Sequence, residues 1–206
     1  MKIEKWGVLL KVTPYKDLDD YEDPDSIESK IDIFEKSTIG WQLEIADLLI
    51  NGGIDCEKNE VKEIKGSGFA VLQILVSYFE MIAKYKEGFE RNGDSTSFFK
   101  KGVISVFPEL KEYNNTDVND LLEVFWRDGR NGLYHGGMTE SRILISHKFP
   151  ILGFEPKNKI LMINPHKLPQ KLIEHFRKYI NELKDPNEIE SRDNFEKRFN
   201  WHRRNK

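Results

Sequence analysis

The feature that most constrains the fold is an apolar segment that runs from Phe69 to Tyr85. In a helix, its apolar side chains would lie on nearly every side: Leu72, Ile74, Leu75, Phe79 and Ile82. A helix that is apolar all round is stable only when other elements surround it. The segment, which begins near Ser67 and ends before Asn92-Gly93, therefore predicts one central, buried helix.

Four more segments have helical periodicity and recognisable first residues. They begin near Asp23-Pro24, Asp94-Ser95, Asp117, and Pro165 or Pro169. Gly40 is expected to kink the first of them. Two short β-like runs, 143–145 and 160–163, are separated by proline and glycine and predict a hairpin or meander. The predicted fold class is mainly α: a four- or five-helix bundle with a small β-hairpin inserted before the last long helix.

The two ends of the chain differ from this pattern. Weak alternation at Val8, Leu10 and Val12 hints at a short strand, and the acidic run 17–25 is expected to be a solvated loop. We predict one helical domain over residues 1–185, with a short N-terminal extension, and a charged C-terminal tail over 186–206. The tail mixes basic and aromatic residues, which could hold single-stranded RNA by charge and stacking. A solvated, partly frayed terminus is the interpretation that we favour.

Composition limits which partners, cofactors and compartments we expect for this chain. The chain has 206 residues, 38% of them hydrophobic and 33% charged, and a net charge of −3. It therefore has no whole-molecule basic field, and an RNA partner would need a local patch. One cysteine, Cys56, cannot form an internal disulfide, and no Cys/His cluster has zinc spacing, so we expect no metal and no cofactor. We find no signal peptide and no apolar stretch that could span a bilayer, which favours a cytoplasmic protein without membrane contact.

The candidate chemistry lies at Arg130, Asn131 and His135. RNA can be cut without a metal when its 2′-hydroxyl attacks the neighbouring phosphorus. Histidine can move the protons near neutral pH, and arginine offers planar paired donors for the charge on the phosphate. A polar residue between them can orient the histidine or the phosphate.

This motif resembles that of the HEPN superfamily of small α-helical proteins, in which an arginine, a polar residue and a later histidine lie near a helix end. The wider string from Arg127 to Thr139 is similar to the motif region of a plasmid-borne HEPN subfamily. The resemblance implies a metal-independent endoribonuclease that cuts single-stranded RNA, with Arg130, Asn131 and His135 catalytic. It also implies a homodimer, and a toxin or defence role with a cognate antitoxin as a further partner. Arg127 and Tyr134 are our candidate substrate-binding residues.

Other candidate residues have different interpretations. A second match, Arg142 to His147, is rejected because its second residue is apolar and its β-branched run predicts a strand. Asp128 is expected to form a surface salt bridge with Arg130 or Arg127, and His166 and His175 to be ordinary surface residues. Two rival functions stay open: a non-catalytic HEPN-like module that binds RNA or a nucleotide, and a protein-interaction bundle.

One geometric point bears on the motif. Five residues of α-helix rotate by about 500°, so Arg130 and His135 would lie about 140° apart on a regular helix. Four glycines surround them, at 129, 132, 136 and 137. They indicate a helix that is irregular or ending, and both interpretations can hold together.

Overall fold

The computed structural model describes residues 26–54 and 59–204. Within them lie seven α-helices: α1 (Ile27–Thr38), α2 (Glu44–Asn51), α3 (Gly68–Lys86), α4 (Ser95–Val106), α5 (Asn115–Val124), α6 (Leu168–Lys184) and α7 (Ile189–Arg204). A 3₁₀ segment spans Pro108–Glu112, and two π-helical segments span Ile39–Leu43 and Phe125–Gly136. The predicted mainly α, helical-bundle fold is confirmed. In the described part of the chain, no helix combines the length and apolarity that crossing a membrane needs.

Helix α3 is the centre of the bundle, as its apolar sequence predicts. It contacts α2, α4, α7 and both π-helical segments. Leu72, Leu75 and Phe79 are fully buried. Phe79 packs edge-on against Phe99 and Phe125, with 5.5 Å between ring centroids in each pair. These contacts fix the Phe125–Gly136 segment against the core.

Among the described residues, the first helix begins at Ile27. Ser26 is its N-cap, and the Ser26 hydroxyl accepts the N–H of Ser29 at 3.2 Å. The predicted start at Asp23-Pro24, the strand near Val8, the acidic run and Cys56 lie outside the described residues. The irregularity expected at Gly40 takes the form of the π-helical segment between α1 and α2. Helix α5 starts earlier than the predicted N-cap Asp117, because Asn114 caps it.

The β-structure is more than a hairpin. A two-stranded ladder joins β1 (Gly53–Ile54) and β2 (Glu60–Val61). A three-stranded sheet has the order β3-β5-β4, with strands β3 (Ile143–Ile145), β4 (Leu152–Glu155) and β5 (Ile160–Ile163). The antiparallel hairpin is formed by β4 and β5, whereas β3 runs parallel to β5. The two predicted runs are both strands, but the strand that makes the hairpin with β5 lies between them.

The solvated C-terminal tail was a wrong prediction for residues 189–204. They form α7, and Phe195 and Phe199 are buried at 0% and 7% exposure. The Phe195 ring lies 5.4 Å from that of Phe34 and 5.7 Å from that of Tyr85. Burial of these two rings offsets the entropy cost of ordering a highly charged segment.

Candidate functional site

The predicted motif lies on the helical segment Phe125–Gly136, which continues α5 and which we call the motif helix. Its hydrogen bonds follow the π-helical pattern, in which partners are five residues apart. Arg130 and His135 are separated by this interval, so they lie on a similar side instead of 140° apart. The helix ends at Gly136, and Gly137, with φ +71°, turns the chain and donates its N–H to the Leu133 carbonyl at 3.1 Å. The glycine-rich segment is therefore both irregular and terminal.

Arg130 is held on several sides. Its guanidinium carbon lies 4.9 Å from the ring centroid of Trp126 and 4.8 Å from that of Tyr134. Its Nη1 donates to Asn131 Oδ1 at 3.1 Å, and its Nη2 lies 3.7 Å from Glu80 Oε2. The Arg130 side chain keeps 23% exposure. The motif thus presents a positioned, partly accessible cation.

The Glu80 carboxylate is mainly engaged elsewhere. It accepts hydrogen bonds from Lys84 at 2.5 Å and from Ser95 at 2.8 Å. Burial raises the pKa of Glu80, but these two hydrogen bonds, together with the positive charges of Lys84 and Arg130, outweigh burial and leave the pKa below its ordinary value. Glu80 is therefore ionised at neutral pH, and its weaker, longer contact with Arg130 leaves that guanidinium able to take another anion.

His135 is exposed at the end of the motif helix. Its ring packs edge-on against Tyr134, with the centroids 5.1 Å apart. Over residues 26–54 and 59–204, the structure gives His135 no hydrogen bond and no direct contact with Arg130. Tyr134, itself 69% exposed, contacts both of them. The imidazole is available to an incoming molecule or to a second copy of the chain.

Asp128 forms the predicted salt bridge with Arg127, but its carboxylate is buried and does not lie at the surface. The residue is 4% exposed, and its carboxylate accepts hydrogen bonds from Arg142 Nε and, at 3.0 Å, from Arg127 Nε. The hydrogen bond from Arg142 is the main cause that holds the Asp128 pKa below its ordinary value; burial opposes it and Arg127 adds to it. Arg130, the other predicted partner, does not pair with the Asp128 carboxylate. Asp128 therefore ties the motif helix to the residue that precedes β3.

The loop that follows the motif helix, residues 138–140, folds back and packs against that helix. The Glu140 N–H donates to the Asp128 carbonyl at 2.9 Å. A Cβ at Gly132 would lie only 2.9 Å from the Met138 carbonyl oxygen, so a side chain there would push this loop away. Gly132 is thus required by a close backbone approach beside the motif.

The predicted substrate-binding residues have different positions. Arg127 has 63% side-chain exposure and donates to Asp128, so its guanidinium is at the surface beside the motif. Tyr134 is largely exposed and lines a cleft, together with Arg130.

The rejected motif match, Arg142 to His147, has a structural role. Arg142 forms a salt bridge with Asp128, and Ile143 begins β3 as predicted. His147 is exposed, with its ring 6.0 Å from that of His166.

The cleft has a volume of about 610 Å³ and is open to solvent. One stripe of α3 forms its floor: Gln73, Ser77, Glu80 and Lys84. Helix α1 and the following π-helical segment form one wall, with Trp41 and Gln42, and the motif helix contributes Arg130 and Tyr134 to the other. The end is closed by α7 through Arg198, Phe199, His202 and Arg203. Asn131, His135 and Arg127 are not among the lining residues.

The sequence contained a signal for this cleft that we did not use. The four floor residues follow one another at intervals of four, three and four, which puts them on one side of α3. They are polar or charged in a helix whose other residues, apart from the terminal Lys86, are mostly apolar. Such a polar stripe on a central helix indicates a side that neighbouring elements cover only in part.

His175 is not the surface residue that we expected. Its Nδ1 is 2.7 Å from the Tyr78 hydroxyl, and its Nε2 is 3.0 Å from Ser105 Oγ. Burial, helped by the charges of Lys86, Lys171 and Lys178, lowers its pKa from 6.5 to about 4. The imidazole is therefore neutral at pH 7, and it joins α3, α4 and α6 through a polar network.

Among residues 26–54 and 59–204, no group of three or more His, Cys, Asp or Glu side chains is arranged to hold a metal ion. Comparisons with protein-family models, with curated proteins and with solved structures found no match to this chain. The HEPN resemblance therefore depends on the motif residues themselves.

Proposed function

We propose that this chain is a metal-independent endoribonuclease that cuts single-stranded RNA through attack of the RNA's own 2′-hydroxyl. The observation that carries the proposal is the contact of one ring, Tyr134, with both Arg130 and His135. An arginine and a histidine at π-helical spacing, next to an open cleft, supply a phosphate-binding cation and a proton-transfer group together.

Arg130 would bind the scissile phosphate. Its planar donors suit two phosphate oxygens, and the Trp126 and Tyr134 rings fix the plane of the guanidinium. Asn131 accepts from Arg130 Nη1 and so restricts its rotation. A donor that is already oriented stabilises the extra negative charge of the transition state without reorganising during the reaction.

His135 would move the protons. As a base it takes the proton of the 2′-hydroxyl, the O2′–P bond forms, and the P–O5′ bond breaks. The departing O5′ needs a proton, and a second histidine would supply it as an acid. The products are a 2′,3′-cyclic phosphate and a 5′-hydroxyl. In the described part of one chain, His135 is the only histidine on the motif helix, so a two-fold dimer would provide both groups.

The surface next to His135 supports such a dimer. Tyr134 is 69% exposed and Met138 is 62% exposed, so two large apolar side chains lie at the end of the motif helix. Large exposed apolar residues next to each other are typical of interaction sites. Under this proposal His135 lies near the two-fold axis, and each cleft opens toward the shared site. The family resemblance adds a toxin or defence setting, with a cognate antitoxin, to the proposal.

A second candidate function has an observation of its own. The cleft includes Arg130 and Tyr134, but His135 does not line it. A module that binds RNA or a nucleotide in the cleft without cutting would need no histidine there. Binding of RNA by a protein that releases no product would favour this alternative.

The deciding experiment uses the full chain and a 5′-labelled single-stranded RNA in EDTA. The proposal expects cleavage in EDTA, products that end in a 2′,3′-cyclic phosphate, and no cutting of DNA, which has no 2′-hydroxyl. Cleavage that appears only after magnesium is added would reject this mechanism.

A further inference from the structure

The cleft carries a more specific inference. We propose that it is the subsite for one nucleobase of single-stranded RNA, the base whose phosphate is bound by Arg130. This inference rests on the proposed function, because it assigns a substrate contact to the same site. It adds a base-binding role for residues of α1, α3 and α7 that lie far from the motif in sequence.

The lining has the chemistry of a base-binding site. A volume of about 610 Å³ falls within the range of about 300–1,000 Å³ that is usual for small-molecule sites. Most of the lining surface is apolar, and its aromatic side chains come from five helical elements of the bundle: Phe34, Trp41, Tyr85, Tyr134 and Phe199. The exposed ring of Tyr134 favours a flat ligand, because nucleobases stack on aromatic faces.

The charge of the cleft favours an anionic ligand. Among the described lining residues, four side chains are cationic, Lys84, Arg130, Arg198 and Arg203, and one is a carboxylate, Glu80. The chain as a whole has a net charge of −3, so this excess of positive charge is local. A nucleotide combines the flat apolar ring that fits the walls with the phosphate that complements the cations.

Hydrogen-bonding groups complete the match. Gln42 and Gln73 bring side-chain amides to the cleft, and such amides can pair with base edges. Two lining residues also have a buried N–H without a hydrogen-bond partner in the described part of the chain: Trp41 Nε1 and Arg198 Nε. Buried donors without partners are uncommon in proteins, and a small side-chain adjustment would offer them to the acceptors of a base.

The connection to the motif comes from Arg130. It lines the cleft and belongs to the catalytic motif, whereas His135 lies outside the lining. A base in the cleft would bring the attached phosphate to Arg130 and leave the sugar toward His135. Base binding and phosphate binding are then adjacent parts of one site.

The test measures binding without cleavage. A labelled 2′-O-methyl RNA oligomer has no free 2′-hydroxyl, so the full-length protein cannot cut it by the proposed route. Fluorescence anisotropy compares this oligomer with one of the same length that has abasic positions. Stacking contributes a factor of about 5 to 150 per base, so we expect the abasic oligomer to bind at least about fivefold more weakly.

Two substitutions test whether the preference for the base-containing oligomer arises in the cleft. Ser77→Trp puts a large ring on the exposed floor of the cleft and should abolish the preference for the base-containing oligomer. Thr116→Trp puts the same ring on the exposed surface of α5, away from the cleft, and should leave the preference for the base-containing oligomer unchanged. Circular dichroism checks folding. Gln73→Glu, a near-isosteric change that adds negative charge to the floor, should weaken binding of the base-containing oligomer if Ser77→Trp does not fold.

The inference and the proposed function fail in different ways. Equal binding of the two oligomers, or an unchanged preference in folded Ser77→Trp, would overturn the nucleobase subsite even when the protein cuts RNA. A preference that is kept in His135→Ala and lost in Ser77→Trp, in a protein that releases no RNA product, would support the subsite and reject the nuclease.

Discussion

Arg130 and His135 are five residues apart on a helix whose hydrogen bonds also span five residues. The two side chains therefore lie on a similar side of the helix, and the Tyr134 ring contacts both. On a regular α-helix they would diverge by about 140°. Under the proposed function, this π-helical geometry would let the two residues act on one substrate.

Arg130→Lys tests the planar donor. Lysine keeps the charge but has neither the paired donors nor the flat face that rests on Trp126 and Tyr134. We expect RNA cleavage to fall by on the order of 10²-fold, as when one oriented transition-state donor is removed. Asn131→Ala, which removes only the acceptor for Arg130 Nη1, should have a smaller effect. Single-turnover cleavage rates measure both, and full activity of Arg130→Lys would contradict this role.

The proposed dimer leads to a second prediction. Light scattering at micromolar concentration should show two chains per particle. Met138→Glu places a charge on the exposed apolar surface next to the motif and should give inactive monomers. Ile189→Glu is the matched control, since Ile189 is similarly exposed, at 68%, on α7. A monomeric wild type, or a Met138→Glu variant that stays dimeric, would count against a shared site.

Asp128→Asn tests the support of the motif helix. The substitution removes the buried carboxylate that accepts from Arg142 and Arg127. Hydrogen bonds to charged groups contribute about 1.5–3 kcal/mol, and we expect a loss of this size in the free energy of unfolding by urea at pH 7. The control Asp193→Asn, at an exposed position of α7, should change it by less than about 0.5 kcal/mol.

The pKa of Asp128 sets the sign of a pH effect. The folded state lowers this pKa from 3.8, so the ionised carboxylate stabilises the fold above that pH. The stability advantage of the wild type over Asp128→Asn should shrink as the pH falls through the folded pKa. An advantage that grows in acid would show that the pairing with arginine is not its source.

His175 predicts a second pH dependence. Its pKa is about 4 when folded and about 6.5 when unfolded, so the unfolded chain binds the proton more tightly. Between these values the wild type should lose stability as the pH falls. Thermal unfolding of His175→Gln should depend less on pH in this window, and His147→Gln should behave as the wild type. Titration of the His175 ring near 6.5, followed by NMR, would refute the prediction.

Local sequence patterns predicted most of the helices because their signals are short-range. The apolar sequence around Leu72 and Phe79 could only be a buried helix, and α3 is that helix. The C-terminal segment was misread because its mean composition is charged, while two residues, Phe195 and Phe199, decide its packing. Strand β4 was missed since Pro150 and Gly153 read as a turn.

The candidate site was only partly predictable for a different reason. Arg130, Asn131 and His135 are close in sequence, so a motif can find them. The cleft joins Trp41, Ser77 and Arg203, which only the tertiary fold brings together. Arg142, the second partner of Asp128, could not be chosen from sequence either, because it becomes a neighbour only when the chain after Gly137 folds back against Gly132.

The most direct test of the proposed function compares His135→Ala with His147→Ala on the same labelled single-stranded RNA in EDTA. Both histidines are exposed, so neither substitution should disturb the core, and circular dichroism verifies the fold. General acid–base groups contribute about 10²- to 10⁴-fold, so His135→Ala should lose activity by that factor while His147→Ala cuts like the wild type. Full activity in folded His135→Ala, or a loss confined to His147→Ala, would contradict the assignment of His135 as the proton-transfer residue.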